Sequence, residues 1–223
     1  VVTILYVRIP ILLVFMQPDL GTSLVYIAIF VGMLFVSGIR LRLVRIIATV
    51  GVLLMPLAWF VLKDYQKQRI LVFMNPDIDP FGSGYHIIQS KIAIGSGTIF
   101  GKGLFNGTQS QLNFLPENHT DFIFSVIGEE LGFIGCIFVL ILLFMLIYRS
   151  IKVAYTCNDH FGMLLATGIG SMLCFEVLVN AGMTMGIMPV TGIPLPFISY
   201  GVSALTTNMI SIGILLNISM QRK

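Results

Sequence analysis

Long apolar runs constrain the fold of this chain more than any other feature of its sequence. Crossing about 30 Å of hydrocarbon takes roughly 20 mostly apolar helical residues. Six runs of that order lie at Val1–Met16, Leu20–Gly38, Leu43–Leu62, Phe122–Tyr148, Phe161–Gly186 and Ile198–Ser219. Hydrophobic residues make up 57% of the chain and charged residues only 10%, which excludes a soluble domain. The sequence therefore predicts an all-α, polytopic membrane helical bundle with about six transmembrane helices.

The start of the chain indicates that more sequence precedes it. The first run is short, carries Arg8 and Pro10, and begins on Val1 without an initiator methionine. It also lacks the basic region and the cleavage site of a signal peptide. We expect residues 1–223 to form a single membrane domain, the C-terminal part of a longer protein.

Clusters of positive charge predict how the spans are oriented. Cytoplasmic connections are enriched in Lys and Arg, and three basic clusters fall on one side of the predicted spans. These clusters are Arg40, Arg42 and Arg45, then Arg149 and Lys152, then Arg222 and Lys223. The C-terminus is therefore predicted to be cytoplasmic. The outer face receives the links Gln17–Gly21 and Ile187–Phe197, together with residues 63–121.

Residues 63–121 form the predicted large extracytoplasmic loop, between the third and fourth spans. Asp64–Asn75 alternates charged and apolar positions, which favours a short amphipathic helix along the membrane surface. Asn75–Gly84 is typical of turns, and Tyr85–Ile94 predicts another short helix. Polar loops held by a rigid scaffold are where function usually sits. We therefore expect this loop to carry functional residues.

A glycine run in the loop raises the question of a phosphate-binding motif. A Walker A loop needs four residues between its glycines and a Ser or Thr after the lysine. Here three residues separate Gly97 from Gly101, and Gly103 follows Lys102. The dinucleotide fingerprint also fails, because no strand precedes the run. Two readings remain: the backbone, with Lys91 and Lys102, offers donors to an anion, or it is a mobile loop with solvated lysines.

Asp121 is the strongest catalytic candidate at the entry to the fourth span. Helical spacing would place Asp121, Ser125 and Glu129 on one face of that span, directed at protein or a water-filled cleft. Alternatively, Thr120 or Asp121 caps the helix, and the neighbouring glycines mediate helix packing. The residues leave both interpretations open.

Other polar residues at membrane depth have similar alternatives. Asp19 is well placed to cap the second span. Glu176 and Asn180 share a face of the fifth span, and Arg8 is a candidate partner for Glu176. The proline-rich stretch Met188–Gly201 predicts an irregular outer segment, in which Ser199 and Tyr200 either line a cavity or pack.

Charge and cysteine content exclude several classes of function. A net charge of +3 gives no concentrated basic surface for nucleic acid. The three cysteines, Cys136, Cys157 and Cys174, show neither a disulfide framework nor a metal-binding spacing. We predict no protein-bound metal site from these residues, and the cofactor requirement stays open.

Several long motifs together resemble the SEDS family (shape, elongation, division and sporulation). They are QPDLGTS at Gln17–Ser23, YHIIQSKIAIG at Tyr85–Gly95, GKGLFNGTQSQ at Gly101–Gln111, LPENHTDFIF at Leu115–Phe124, EELG at Glu129–Gly132 and PLPFISYGVS at Pro194–Ser203. The run GTQSQ is more similar to the elongation branch, RodA, than to the division branch, FtsW. Val202 departs from the family's Ser-Tyr-Gly-Gly-Ser, and members have about ten spans against six here.

The resemblance implies a peptidoglycan glycosyltransferase of the bacterial cytoplasmic membrane. Such an enzyme polymerises lipid II into glycan strands on the outer face during cell elongation, together with a class B penicillin-binding protein. Asp121 aligns with the family's essential loop aspartate, which implies a general base. Lys91 and Lys102 become candidates for binding the pyrophosphate, with a divalent metal as a further possibility. Asp19, Glu129 and Ser199 become candidate substrate-binding residues.

Two other functions remain as alternatives. A lipid II flippase would use polar groups such as Glu176 along a path through the membrane, but most of the candidate residues lie toward the outer side. A non-catalytic scaffold would only position the class B penicillin-binding protein.

Overall fold

A computed structural model describes residues 10, 12–14, 17, 19–38, 46, 49, 53, 60, 62–80, 82–112 and 114–221. Every regular element within those ranges is a helix, which confirms the all-α prediction. In chain order the helices are α1 (Leu20–Val36), α2 (Asp64–Met74), α3 (Ser83–Ser96), α4 (Thr108–Gln111), α5 (Ile123–Thr156), α6 (His160–Thr184) and α7 (Val202–Met220). A short 3-10 helix, Pro76–Ile78, lies between α2 and α3.

Three of these helices, α5, α6 and α7, are long and apolar enough to cross a membrane. Helix α1 is apolar but shorter, at 17 residues. The predicted spans Val1–Met16 and Leu43–Leu62 lie almost wholly outside the described residues, as do all of Arg8, Arg40, Arg42, Arg45, Arg222 and Lys223. The total of six spans and the orientation therefore stay predictions.

The last span begins later than the sequence predicted. We expected it to start at Ile198, whereas α7 starts at Val202. The preceding residues form a turn instead, in which the amide of Ser199 donates to the carbonyl of Leu195 at 3.0 Å. Phe197 has a positive φ of 65°, which a helix does not accept. The predicted irregular character of Met188–Gly201 is confirmed.

Apolar packing joins α5, α6 and α7 into one core. Its buried members include Leu143 and Ile147 of α5, Leu173 of α6 and Leu215 of α7. Helix α1 packs on α6. Lipid tails supply no hydrophobic force that drives helices together in a membrane. Helices there associate through close packing, which small residues permit. The bundle brings the first residues of α1, the last of α6 and the first of α7 to one end.

Helix α5 is broken near its start, at Gly132. Its φ of 67° and ψ of −164° are not helical. The amides freed by the break find partners in the loop after α3: Phe133 donates to the carbonyl of Thr98 at 3.0 Å, and Ile134 donates to that of Ile99 at 3.2 Å. Backbone groups at membrane depth need such partners, because hydrocarbon offers none.

The same loop also satisfies carbonyls on the other side of the break. The amides of Lys102 and Gly103 each donate at 3.0 Å, to the carbonyls of Glu129 and Glu130 respectively. A side chain at Gly101 would collide with the carbonyl of Glu130, so only glycine permits this approach. The glycine run therefore forms a wedge, residues 98–103, that fits into the break in α5.

The two predicted short helices of the 63–121 segment are confirmed. The predicted Asp64–Asn75 helix is α2, and the predicted Tyr85–Ile94 helix is the slightly longer α3. Nothing in the fold itself tests whether this segment faces the outside of a membrane, so that location stays a prediction.

Candidate functional site

Asp121 lies in a turn immediately before α5. Both Thr120 and Phe122 donate their amides to the carbonyl of Glu117, at 3.2 and 3.3 Å. The prediction that Asp121 shares a helical face with Ser125 and Glu129 is therefore wrong, because α5 begins only at Ile123. Capping by Thr120 or Asp121 is wrong as well, since no side chain caps α5.

The turn that carries Asp121 is held by its backbone. The side-chain amide of Asn180, on α6, donates to the carbonyl of Asp121 at 3.0 Å and to that of Ile193 at 2.8 Å. The hydroxyl of Ser199 donates to the carbonyl of Thr120 at 2.7 Å. Asn180 is fully buried. These bonds fix the position of the Asp121 backbone and leave its carboxylate unconstrained.

Ser199 and Tyr200 differ in what they can offer a substrate. The Ser199 hydroxyl also accepts a hydrogen bond from the amide of Leu195 at 2.7 Å, so its bonding is taken up by the backbone. The Tyr200 side chain is 74% exposed and borders a cavity of about 540 Å³ beside His119 and Leu205. The structure thus gives Ser199 a positioning role, and its predicted contact with substrate stays a prediction.

The electrostatic environment of Asp121 suits a proton acceptor. Burial raises the pKa of its carboxyl above the ordinary value, and the nearby charge of Glu117 raises it further. The charge of Arg69, on α2, acts in the opposite direction. Among the described residues, no group donates a hydrogen bond to this carboxylate. A carboxylate with a raised pKa and free lone pairs is a stronger base than an ordinary one.

One carboxylate oxygen of Asp121 lies against the irregular segment that follows α6. A Cβ atom at Gly192 would be 3.5 Å from Asp121 Oδ2. Gly192 itself lines an open cavity of about 460 Å³ between α1, α6, α7 and this segment. The Asp121 carboxylate therefore lies next to a space that can hold part of a ligand.

Glu129 and Lys102 bind each other. The Lys102 ammonium is 2.8 Å from Glu129 Oε1, and the Glu129 carboxylate is fully buried. Four further donors surround it within 3.2 Å: the Thr108 hydroxyl, the Gln109 amide, and the amide and hydroxyl of Ser110. This arrangement ties α4 to α5. The substrate-binding roles predicted for Lys102 and Glu129 remain untested, but both charges already have partners.

Lys91 and Asp19, the other two predicted site residues, lie at separate places. Lys91 is exposed on α3, and its side chain packs on Gly186 just beyond α6. Asp19 caps α1, as the sequence predicted: its Oδ1 accepts from the amide of Thr22 at 3.0 Å and its Oδ2 from the Thr22 hydroxyl at 2.6 Å. No described contact joins either residue to Asp121.

The sequence did not indicate that Asn180 holds the Asp121 backbone or that the charge of Arg69 acts on the Asp121 carboxylate. Arg69 received no assignment from the sequence, and Asn180 was noted only for sharing a face with Glu176. A signal existed for Asn180, since a carboxamide in the middle of an apolar span needs partners. No sequence signal existed for Arg69, because only the fold brings its charge within reach of Asp121.

Metal binding finds little support in the described part of the chain. No three His, Cys, Asp or Glu side chains cluster there in a way that could hold an ion.

The sequence matches a family model for cell cycle proteins, FTSW_RODA_SPOVE, over residues 1–223. It is 47% identical over 223 residues to the peptidoglycan glycosyltransferase MrdB of Escherichia coli K12, covering 100% of this chain and 60% of MrdB. It is 36% identical to the peptidoglycan glycosyltransferase RodA of Treponema pallidum, covering 96% of this chain and 66% of that protein. The chain thus spans about 60% of the length of the first of these relatives.

A solved structure shares the fold. The chain aligns with a protein of a peptidoglycan synthase complex that coordinates polymerization and crosslinking. The TM-score is 0.79 and the sequence identity is 33%. The alignment covers 98% of this chain and 60% of that one.

Proposed function

The chain belongs to the FtsW, RodA and SpoVE family of cell cycle proteins, and we propose that it carries the general base of a peptidoglycan glycosyltransferase that polymerises lipid II. Support comes from the relatives named peptidoglycan glycosyltransferases and from the fold shared with a peptidoglycan synthase complex. The observation that carries the proposal is Asp121, a half-buried carboxylate with a raised pKa and no hydrogen-bond donor among the described residues.

In the proposed reaction, Asp121 removes a proton. The 4-hydroxyl of a GlcNAc residue attacks the anomeric carbon of a lipid-linked sugar, forming the new C–O bond. The bond between that carbon and the pyrophosphate oxygen breaks, and its electron pair leaves with the lipid pyrophosphate. The hydroxyl proton passes to the Asp121 carboxylate. General-base catalysis of this kind contributes about 10²- to 10⁴-fold to the rate.

The leaving pyrophosphate develops negative charge, which a cation in the site would stabilise. Arg69 is our first candidate, because its charge already acts on Asp121. Lys91 is the second, since it is exposed and free of any described ion pair. Lys102 is a weaker candidate than the sequence implied, because Glu129 neutralises it.

The proposed setting is a bacterial inner membrane. Three membrane-length apolar helices and the family support an integral membrane protein. We further propose that the protein has about six spans and a cytoplasmic C-terminus. Residues 63–121 would then lie on the outer face, where lipid II is polymerised. The likeness to a peptidoglycan synthase complex supports a class B penicillin-binding protein as partner.

Polymerisation by the purified full-length protein tests this proposal. The protein, alone and with its partner, receives labelled lipid II, and glycan strands are resolved on a gel. Asp121→Asn, which keeps the size of the side chain but cannot accept the proton, should lose at least about 100-fold of the rate. Asp77→Asn is the matched control, because Asp77 is an exposed acid of the same segment.

Polymer formed at the normal rate by Asp121→Asn would overturn the assignment of the base. A leaflet-accessibility assay in vesicles tests the flippase alternative, which labelled headgroup crossing the membrane without polymer formation would support.

A further inference from the structure

A cavity with a mixed polar and apolar lining lies between α1, α6 and α7, at the end of the bundle that holds Asp121. Its volume is about 460 Å³. Small-molecule pockets have volumes of about 300–1,000 Å³, so this space is large for a single ion and suits an organic group. Its polar lining includes Thr22 and Tyr26 of α1, Glu176 of α6, and Thr207 and Asn208 of α7.

Two of these side chains, on facing helices, lack hydrogen-bond partners among the described residues. Glu176 Oε2 is inaccessible to water and accepts no bond. Asn208 is only 4% exposed, lines the cavity, and makes no described hydrogen bond. Buried polar groups are nearly always paired, because leaving one unpaired costs about 1–3 kcal/mol and more for a charge. Because Glu176 and Asn208 have no partner in the described part of the chain, this cavity is a candidate ligand site.

Two of the hydroxyls in the cavity can only accept further hydrogen bonds. Thr22 already donates its proton to Asp19 Oδ2 at 2.6 Å, and Thr207 donates to the carbonyl of Ser203 at 2.9 Å. The hydroxyls of Tyr26 and Ser203 have no described acceptor, and the Asn208 amide both donates and accepts, so the cavity offers donors as well as acceptors. It suits a group with hydroxyls and amides, and it disfavours an anion, because no Lys or Arg side chain of the described residues lines it.

The cavity also adjoins the proposed base, because Gly192 contributes to its lining and lies against the Asp121 carboxylate. A ligand in this cavity would hold its neighbouring atoms close to Asp121.

We propose that this cavity binds the hydroxyl- and amide-bearing saccharide part of the lipid-linked substrate, through Glu176 and Asn208, and excludes its pyrophosphate. This inference rests on the function proposed above and adds which part of the substrate lies where. The pyrophosphate is then left to the cations outside the cavity.

Photo-crosslinking from the cavity wall tests the proposal. A benzophenone amino acid replaces Tyr26, whose side chain is 37% exposed, in the full-length protein. One probe is lipid II, and the other is undecaprenyl pyrophosphate, which has the same lipid and pyrophosphate but no saccharide. We expect lipid II to crosslink at least about tenfold more than the second probe, the ratio expected from one or two hydrogen bonds to a charged group. Equal crosslinking of the two would overturn the proposal.

Variants of the two free side chains provide an independent measurement. Glu176→Gln and Asn208→Leu should each reduce the lipid II crosslink and raise KM, by about tenfold, with little change in kcat. Asn217→Leu is the matched control, since Asn217 is exposed near the far end of α7. An unchanged KM and crosslink in folded Glu176→Gln and Asn208→Leu would overturn the proposal.

The two proposals fail in different ways. Wild-type protein that makes polymer but gives no saccharide-dependent crosslink overturns the cavity assignment alone. A saccharide-dependent crosslink combined with full polymerisation by Asp121→Asn overturns the base assignment alone. Wild-type protein that gives neither polymer nor crosslink overturns both.

Discussion

Asp121 is made basic by its surroundings and held in place by its backbone. Its carboxylate is half-buried, while its carbonyl accepts from Asn180 on α6. Two charges of opposite sign act on it from Glu117 and Arg69. Because these charges lie on different elements, their effects on the pKa can be separated by substitution.

The pH dependence of polymerisation should follow those two charges. The rate should fall at low pH as Asp121 becomes protonated, with a midpoint above the ordinary aspartate pKa. Glu117→Gln removes a negative charge, lowers the pKa of Asp121 and should move this acidic limb to lower pH. Arg69→Gln removes a positive charge, raises that pKa and should move the limb to higher pH. The measurement is kcat/KM against pH.

Lys67→Gln serves as the control for Arg69→Gln, because Lys67 is also on α2 and pairs with Asp64 at 3.9 Å. Shifts of the same sign in Glu117→Gln and Arg69→Gln would contradict Asp121 as the titrating group.

The buried Glu129 carboxylate should matter for stability. Glu129→Gln removes the charge that pairs with Lys102 and accepts from α4. We expect a loss of about 2 kcal/mol, below the 3–5 kcal/mol typical of a fully buried pair because Lys102 is partly exposed. Glu130→Gln should cost under about 1 kcal/mol, since its one described hydrogen bond is long. Thermal unfolding in detergent measures both, and equal midpoints would contradict the anchoring role.

Contacts between residues that are close in the chain were the part of the site that could be predicted from the sequence. The cap formed by Asp19 depends on residues three positions away, so its pattern is visible in the sequence. The partners of Glu129 and the influence of Arg69 on Asp121 come from distant elements. A stripe of carboxylates on one helix was therefore the natural prediction, and it was wrong because α5 begins two residues after Asp121.

Among the helices, the break in α5 departs most from what its sequence indicates. Apolar length predicted one continuous span, and a glycine in such a run is ordinarily tolerated without a bend. The positive φ of Gly132 needs the wedge of residues 98–103 to supply hydrogen bonds, and sequence patterns do not show that pairing. The end of α5 also differs, because the helix continues to Thr156, eight residues beyond the predicted Tyr148. The remaining described span ends differ by four residues or fewer.

Gly132→Ala should disrupt the wedge. An added Cβ would collide with the amide of Gly101 and lie 2.6 Å from the carbonyl of Ile99. Its positive φ adds roughly 1–2 kcal/mol of strain for a residue with a Cβ. We expect a lower unfolding midpoint and faster trypsin cleavage after Lys102. Gly213→Ala, on α7, meets nothing within 4 Å and should be tolerated. Equal tolerance of both changes would contradict the wedge.

Across the whole molecule, the described helices form a bundle whose polar, irregular segments gather at one end. Asp121, the 188–201 segment and the cavity lie there, whereas Cys157 lies at the opposite end, in the connection between α5 and α6. Hydrophobicity predicted the bundle well, because transfer into lipid depends on composition. Which end faces outward depends on charges such as Arg40 and Arg222, which lie beyond the described residues.

The native Cys157 allows the orientation to be tested. In a Cys136→Ala, Cys174→Ala background, Cys157 should react with a membrane-impermeant maleimide only after the inner membrane is permeabilised. A cysteine placed at Asp77, with Cys157→Ala added, should react before permeabilisation once the reagent reaches the periplasm. The reverse pattern would invert the proposed topology and place Asp121 on the cytoplasmic face.

The wedge in α5 also has a consequence for biosynthesis. Residues 98–103 are synthesised before Gly132, because they precede it in the chain. The stretch from Phe133 to Thr156 is long enough to insert as a span by itself. The segment from Ile123 to Leu131, which carries Glu129, can then close against the loop of residues 98–103. Membrane insertion of α5 and completion of the Asp121 site thus become two successive events.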